Sequence, residues 1–82
     1  MNDHNTPLAD IGLIGLAVMG ENLALNMESR GFRVAVYNRT PEKTRAFMAG
    51  RAAGKRFVAA DSLKTLVQNL QRPRRIMLMV KA

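Results

Sequence analysis

Residues 10–20 read Asp-Ile-Gly-Leu-Ile-Gly-Leu-Ala-Val-Met-Gly, and they restrict the fold more than any other stretch of the chain. Ile11 to Ile14 is a short apolar run bounded by turn residues, the pattern of a strand buried on both faces. It passes directly into Gly15-x-Ala17-x-x-Gly20, after which the spacing of apolar residues turns helical. A strand that enters a helix through so tight a turn opens a βαβ unit, whose second strand runs parallel to the first. The turn also implies a chemistry. Gly15 permits the sharp change of direction, Ala17 stands where the backbone approaches a pyrophosphate, and Gly20 lets the helix pack close to the strand. Leu16, Val18 and Met19 fill the positions between, and the early backbone N–H groups of the helix, at its positive dipole end, face the phosphates. Compactness alone can account for small residues in such a turn. The strand, helix and second strand at the required spacing favour a dinucleotide cradle over that simpler reading.

The rest of the chain repeats the theme. Residues 1–9 read as a polar leader with a turn at Thr6-Pro7. Residues 18–30 are helical, with Met19, Leu23 and Met27 on one face beside the small Gly20 and Ala24, and Gly31 suits the left-handed position that closes a helix. Val34–Tyr37 is a second strand. Thr40-Pro41 opens a second helix, the Thr40 hydroxyl capping free N–H groups and the proline taking the first helical position. That helix runs to about Gly50. Residues 57–60 form a third strand, and Asp61-Ser62 caps a third helix whose Leu63, Leu66, Val67 and Leu70 recur at helical spacing. Pro73 blocks its continuation, and residues 76–80 are a fourth, continuously apolar strand. This order predicts an α/β fold over residues 10–82: a Rossmann-like parallel sheet in the order 3-2-1-4, the first half of a doubly wound domain. The outer edge of its fourth strand is where later strands of such a domain pair.

Charge is divided unevenly. Residues 1–29 hold Asp3, Asp10, Glu21 and Glu28 but no lysine or arginine, whereas all 13 Lys and Arg fall in residues 30–82 beside only Glu42 and Asp61. So basic a segment suits a phosphorylated small molecule, nucleic acid or an acidic membrane surface. Nucleic acid is the weaker choice. Arg72, Arg74 and Arg75 could meet phosphates, but Phe32, Tyr37, Phe47 and Phe57 fall mostly at core positions and leave no stacking platform. No apolar run is long enough to span a bilayer, and the first residues lack the basic start of a secretory signal, so a soluble cytoplasmic protein is expected. There is no cysteine, and the one histidine, His4, sits in the polar leader. Neither a metal site nor a catalytic constellation is expected within these residues. The methionines fall mostly at positions that suggest core packing.

The end of the second strand selects the cofactor. NAD-binding units place Asp or Glu there, about 20 residues past the glycines, to accept from the ribose hydroxyls. This chain has Asn38-Arg39-Thr40 instead. A carboxylate would repel a 2′-phosphate, while Arg39 can pair with it through two parallel hydrogen bonds and stack on the adenine. Asn38 and Thr40 add neutral donors, and Lys43 stands one turn into the helix. The pattern favours NADP over a solvated arginine beside a helix cap.

Gly-Leu-Ala-Val-Met-Gly at 15–20, Asn-Leu-Ala-Leu-Asn-Met-Glu-Ser-Arg-Gly at 22–31, Asn-Arg-Thr at 38–40 and Arg-Arg-Ile-Met-Leu-Met-Val-Lys-Ala at 74–82 together resemble 6-phosphogluconate dehydrogenase, the decarboxylating, NADP-linked family of the pentose phosphate pathway. Alanine within the glycine motif and the Val-Lys-Ala ending set this family apart from related 3-hydroxyacid dehydrogenases. The resemblance implies that residues 15–20 cradle the pyrophosphate, with Met19 approaching the nicotinamide, and that Asn38, Arg39 and Thr40 hold the 2′-phosphate. It also implies that Val80, Lys81 and Ala82 line the cofactor pocket from the end of the fourth strand. In the family, 6-phosphogluconate is oxidised at C3 and loses CO₂ to give ribulose 5-phosphate and NADPH. The catalytic lysine and glutamate, and the helical domain that forms the homodimer, lie beyond the residues present here. The chain alone is therefore expected to be inactive. A non-catalytic NADP-binding module, acting as a sensor or regulatory subunit, would use the same cofactor residues.

Overall fold

The computed structural model describes residues 8–79. His4, most of the leader, and Val80, Lys81 and Ala82 lie outside the described residues. The elements follow in the order β1 (Ile11–Ile14), α1 (Val18–Ser29), β2 (Val34–Tyr37), α2 (Pro41–Ala49), β3 (Phe57–Ala59), α3 (Leu63–Gln68) and β4 (Ile76–Leu78). The strands form one sheet in the order β3-β2-β1-β4, every pair parallel, as the alternation of strands and helices predicts. Ile11 to Ile14 pair with Val34 to Tyr37 in register, so both strands deliver their carboxyl ends to one edge of the sheet.

Period-two alternation sends side chains of each strand to opposite faces. Val34 and Val36 are fully buried in a cluster with Leu13, Leu16, Ala24 of α1 and Phe47 of α2. Ala35, between them, joins Ala60, Leu66 and Leu70 in a second cluster under α3. On the first face Phe47 and Phe57 meet edge to face, with ring centroids 5.1 Å apart, a favoured aromatic geometry. The fold reaches one residue into the leader. Ala9 is fully buried, donates its N–H to the Asn69 carbonyl at 2.7 Å and accepts from the Gln71 N–H at 2.8 Å.

Several local expectations are corrected. Met19 does not join the buried face of α1: it is 72% exposed, and the residues that α1 buries are Gly20, Ala24 and Glu28. Met77 is also exposed and Met27, Met48 and Met79 are only partly buried, so methionine packing is peripheral. Leu63 is half exposed, whereas Leu66 and Leu70 are buried. Thr40 makes no side-chain hydrogen bond to the start of α2, so proline rather than a hydroxyl cap marks that terminus. The α3 cap is Ser62 alone: its Oγ accepts from the Thr65 N–H at 3.0 Å. Gly31 closes α1 with φ +103°, as expected of that position.

Among the described residues Glu28 is the one buried acid, and a single arginine satisfies it. The Arg56 backbone N–H and Nε donate to Glu28 Oε2 at 3.1 and 3.3 Å, while the guanidinium also reaches the carbonyls of Glu28 and Gly31. The clasp joins the end of α1 to the entry of β3. The backbone N–H of Arg56, more than its charge, holds the Glu28 carboxyl below its ordinary range, against the opposing effect of burial.

Candidate dinucleotide-binding site

Three features meet beyond the carboxyl ends of β1 and β2, where open parallel sheets bind ligands. The first is the turn into α1. Gly15 has φ +105°, a conformation that side chains disfavour, and a Cβ there would collide with the Met79 carbonyl. A Cβ on Gly20 would likewise strike the Gly15 carbonyl. These contacts assign the two glycines physical roles: one makes the turn beside the end of β4, and the other brings the helix against the turn. The first helical hydrogen bond runs from the Glu21 N–H to the Ala17 carbonyl at 2.9 Å. The amides of Val18, Met19 and Gly20 therefore precede it, as helix geometry requires. Val18 and Met19 are each 72% exposed. Two apolar side chains standing in solvent at a helix start are out of place in a packed turn but suit the wall of a ligand site.

The second feature is the end of β2. The Gly15 N–H donates to the Tyr37 carbonyl at 2.9 Å, and the Leu16 N–H donates to Asn38 Oδ1 at 2.7 Å. The Asn38 amide then donates through Nδ2 to the Thr40 carbonyl at 3.2 Å. The sequence suggests Asn38 as a phosphate donor, but its side chain is largely engaged within the protein. Arg39 and Thr40 are exposed, and Arg39 makes no ion pair among the described residues.

The third feature is a cavity of about 290 Å³ that opens beside Arg39, between α2 and the start of α3. Its walls include Tyr37, Arg39, Thr44, Arg45, Asp61 and Thr65. Thr44 is 93% buried by area, and its Oγ1 is the single buried side-chain polar atom left without a hydrogen-bond partner among the described residues. Sequence reasoning overlooked Thr44, Arg45, Asp61 and Thr65, and it named Lys43, which does not line the cavity. Helical spacing from Pro41 contained the signal, since Thr44 and Arg45 follow it at the i+3 and i+4 steps that share a face.

One charge works against an anion at the turn. Glu21 lies in the first turn of α1, where its carboxylate faces the same dipole end as a phosphate. Arg51 neutralises it, Nη1 donating to Glu21 Oε1 at 3.0 Å and Nη2 to Asn22 Oδ1 at 2.8 Å. Among the described residues no group of three or more His, Asp or Glu could hold a metal ion, and no helix is long and apolar enough to cross a membrane.

This geometry has known counterparts. The family profile described as the NAD binding domain of 6-phosphogluconate dehydrogenase matches residues 10–82. The decarboxylating 6-phosphogluconate dehydrogenase of Dictyostelium discoideum is 68% identical over 73 residues, which cover 89% of this chain and 15% of that protein. The enzyme of the same name from Synechococcus elongatus is 67% identical over 75 residues, covering 92% of this chain and 16% of its own length. Among solved structures, Plasmodium falciparum 6-phosphogluconate dehydrogenase, described in apo form and in complex with its cofactor NADP+ and with its substrate 6-phosphogluconate, superposes with a TM-score of 0.78 at 46% identity. That alignment covers 89% of this chain and 16% of the Plasmodium chain. The chain thus spans about one sixth of the length of the relatives it matches, and it belongs to the 6-phosphogluconate dehydrogenase family.

Proposed function

We propose that this chain is the NADP-binding part of a decarboxylating 6-phosphogluconate dehydrogenase. The observation that carries the reading is Arg39: a guanidinium exposed at the end of β2, making no ion pair among the described residues and lining the cavity beside it. Arg39 and Thr40 hold the 2′-phosphate. The amides of Val18, Met19 and Gly20, with Gly15, Leu16 and Ala17 shaping the turn, receive the pyrophosphate. Met19 lies toward the nicotinamide, and Val80, Lys81 and Ala82 complete the pocket. Bound there, NADP supplies the hydride acceptor for oxidation of 6-phosphogluconate, whose decarboxylation yields ribulose 5-phosphate. The groups that bind substrate and move protons come from outside these residues, in a full-length cytoplasmic homodimer.

Substituting Arg39→Ala and titrating with NADP and NAD tests the assignment. Loss of a charge-assisted pair to phosphate weakens NADP by roughly tenfold to a hundredfold. NAD, which lacks that phosphate, loses little. Equal losses for both cofactors overturn the placement of the 2′-phosphate at Arg39.

A further inference from the structure

We infer that Asn38 acts as a positioning residue, coupling the pyrophosphate turn to the 2′-phosphate segment through its side-chain amide. The inference rests on the NADP reading above and deepens it. Leu16 is 1% exposed, and its N–H, the second amide of the turn, donates to Asn38 Oδ1 at 2.7 Å across 22 residues of sequence. The preceding amide, of Gly15, donates to the Tyr37 carbonyl one residue before Asn38. Two successive N–H groups of the turn are therefore spent on the end of β2, and neither is left for a ligand. On its other side the same amide donates to the Thr40 carbonyl. That carbonyl also accepts from the Lys43 N–H at 3.1 Å, so the link continues into the first turn of α2. One planar side chain thus spans the start of α1 and the start of α2.

The chemistry of the amide suits this task. An acceptor is needed for Leu16 and a donor for Thr40, and a primary amide offers both without charge. Aspartate in its place can still accept from Leu16 but cannot donate to Thr40, and it puts a negative charge where a 2′-phosphate is to bind. Alanine removes both bonds and leaves the Leu16 N–H without its acceptor.

The test separates positioning from direct contact with three probes titrated into the whole chain: adenosine 2′-phosphate, ADP-ribose and 2′-phospho-ADP-ribose. ADP-ribose has the pyrophosphate but no 2′-phosphate. If Asn38 positions the turn, Asn38→Ala weakens ADP-ribose roughly tenfold, the scale of a buried donor left unpaired. Asn38→Asp, which keeps the Leu16 bond, holds ADP-ribose within about threefold of the original protein and loses the two 2′-phosphorylated probes. If Asn38 is only a 2′-phosphate ligand, Asn38→Ala leaves ADP-ribose unchanged, and the inference is overturned. Should the alanine variant not fold, Asn38→Ser, a smaller polar change that shortens the reach to the Leu16 N–H, takes its place: weakened ADP-ribose supports the inference, and unchanged ADP-ribose with weakened 2′-phosphorylated probes overturns it. An original protein that binds ADP-ribose but shows no gain from the added 2′-phosphate fails the NADP reading instead.

Discussion

At the residue scale, single atoms decide what the site tolerates. Gly15 and Gly31 have nearly the same positive φ, but a Cβ at Gly31 meets nothing within 4 Å, while one at Gly15 strikes the Met79 carbonyl. Gly31→Ala is expected to cost the backbone strain alone, about 1–3 kcal/mol. Gly15→Ala adds a collision with backbone and should cost more, as thermal or chemical unfolding of the two variants will show. Equal costs would mean that Met79 yields freely. Glu28 brings a pH dependence. Its carboxyl is held below its ordinary range, so the folded protein binds its proton less readily than the unfolded chain. The stability it contributes is complete above the ordinary glutamate range and disappears as pH falls through the depressed folded value. Glu28→Gln should therefore be less stable than the original protein near neutral pH, and the gap should narrow on acidification. A gap that is constant with pH contradicts the clasp. None of this pairing could be read from sequence, because Arg56 is 28 residues away and nothing local distinguishes Glu28 from a solvated acid on α1.

At the element scale, strands were legible and helix faces less so. Parallel strands buried on both sides appear as continuous apolar runs, which is why Ile11–Ile14 and Val34–Tyr37 agree between sequence and structure. Helical periodicity locates a stripe but not the end of the surface beneath it. Met19 and Leu63 continue the apolar stripes of α1 and α3 and yet stand in solvent, since both lie in the first turn. Cap residues share this ambiguity. Thr40 and Ser62 precede α2 and α3 and have equally favourable side chains, but only Ser62 accepts a backbone N–H. Ser62→Ala should lower stability by about 1 kcal/mol. Thr40→Ala should leave stability nearly unchanged while weakening NADP, because its hydroxyl is free for a ligand. A large stability loss in the threonine variant would show that the hydroxyl caps α2 after all.

At the scale of the whole molecule, the alternation of strands and helices was enough to predict the 3-2-1-4 sheet, because right-handed parallel crossovers leave few alternatives. The glycine turn and Asn38-Arg39-Thr40 lie at the carboxyl ends of β1 and β2, where the proposed site is placed. The cavity beyond them was not legible, since it depends on how α2 and α3 approach one another over β2 and β3. The chain spans about one sixth of the length of its relatives, and on the proposed reading it holds the phosphates of NADP while turnover draws on residues outside it. Purified alone, it should form no NADPH from 6-phosphogluconate. The most direct measurement is an amide NMR titration of the chain with NADP and, separately, NAD. NADP should bind more tightly and shift the amides of residues 15–20 and 38–41 together. Equal affinity for the two cofactors, or shifts confined to other residues, would contradict the site described here.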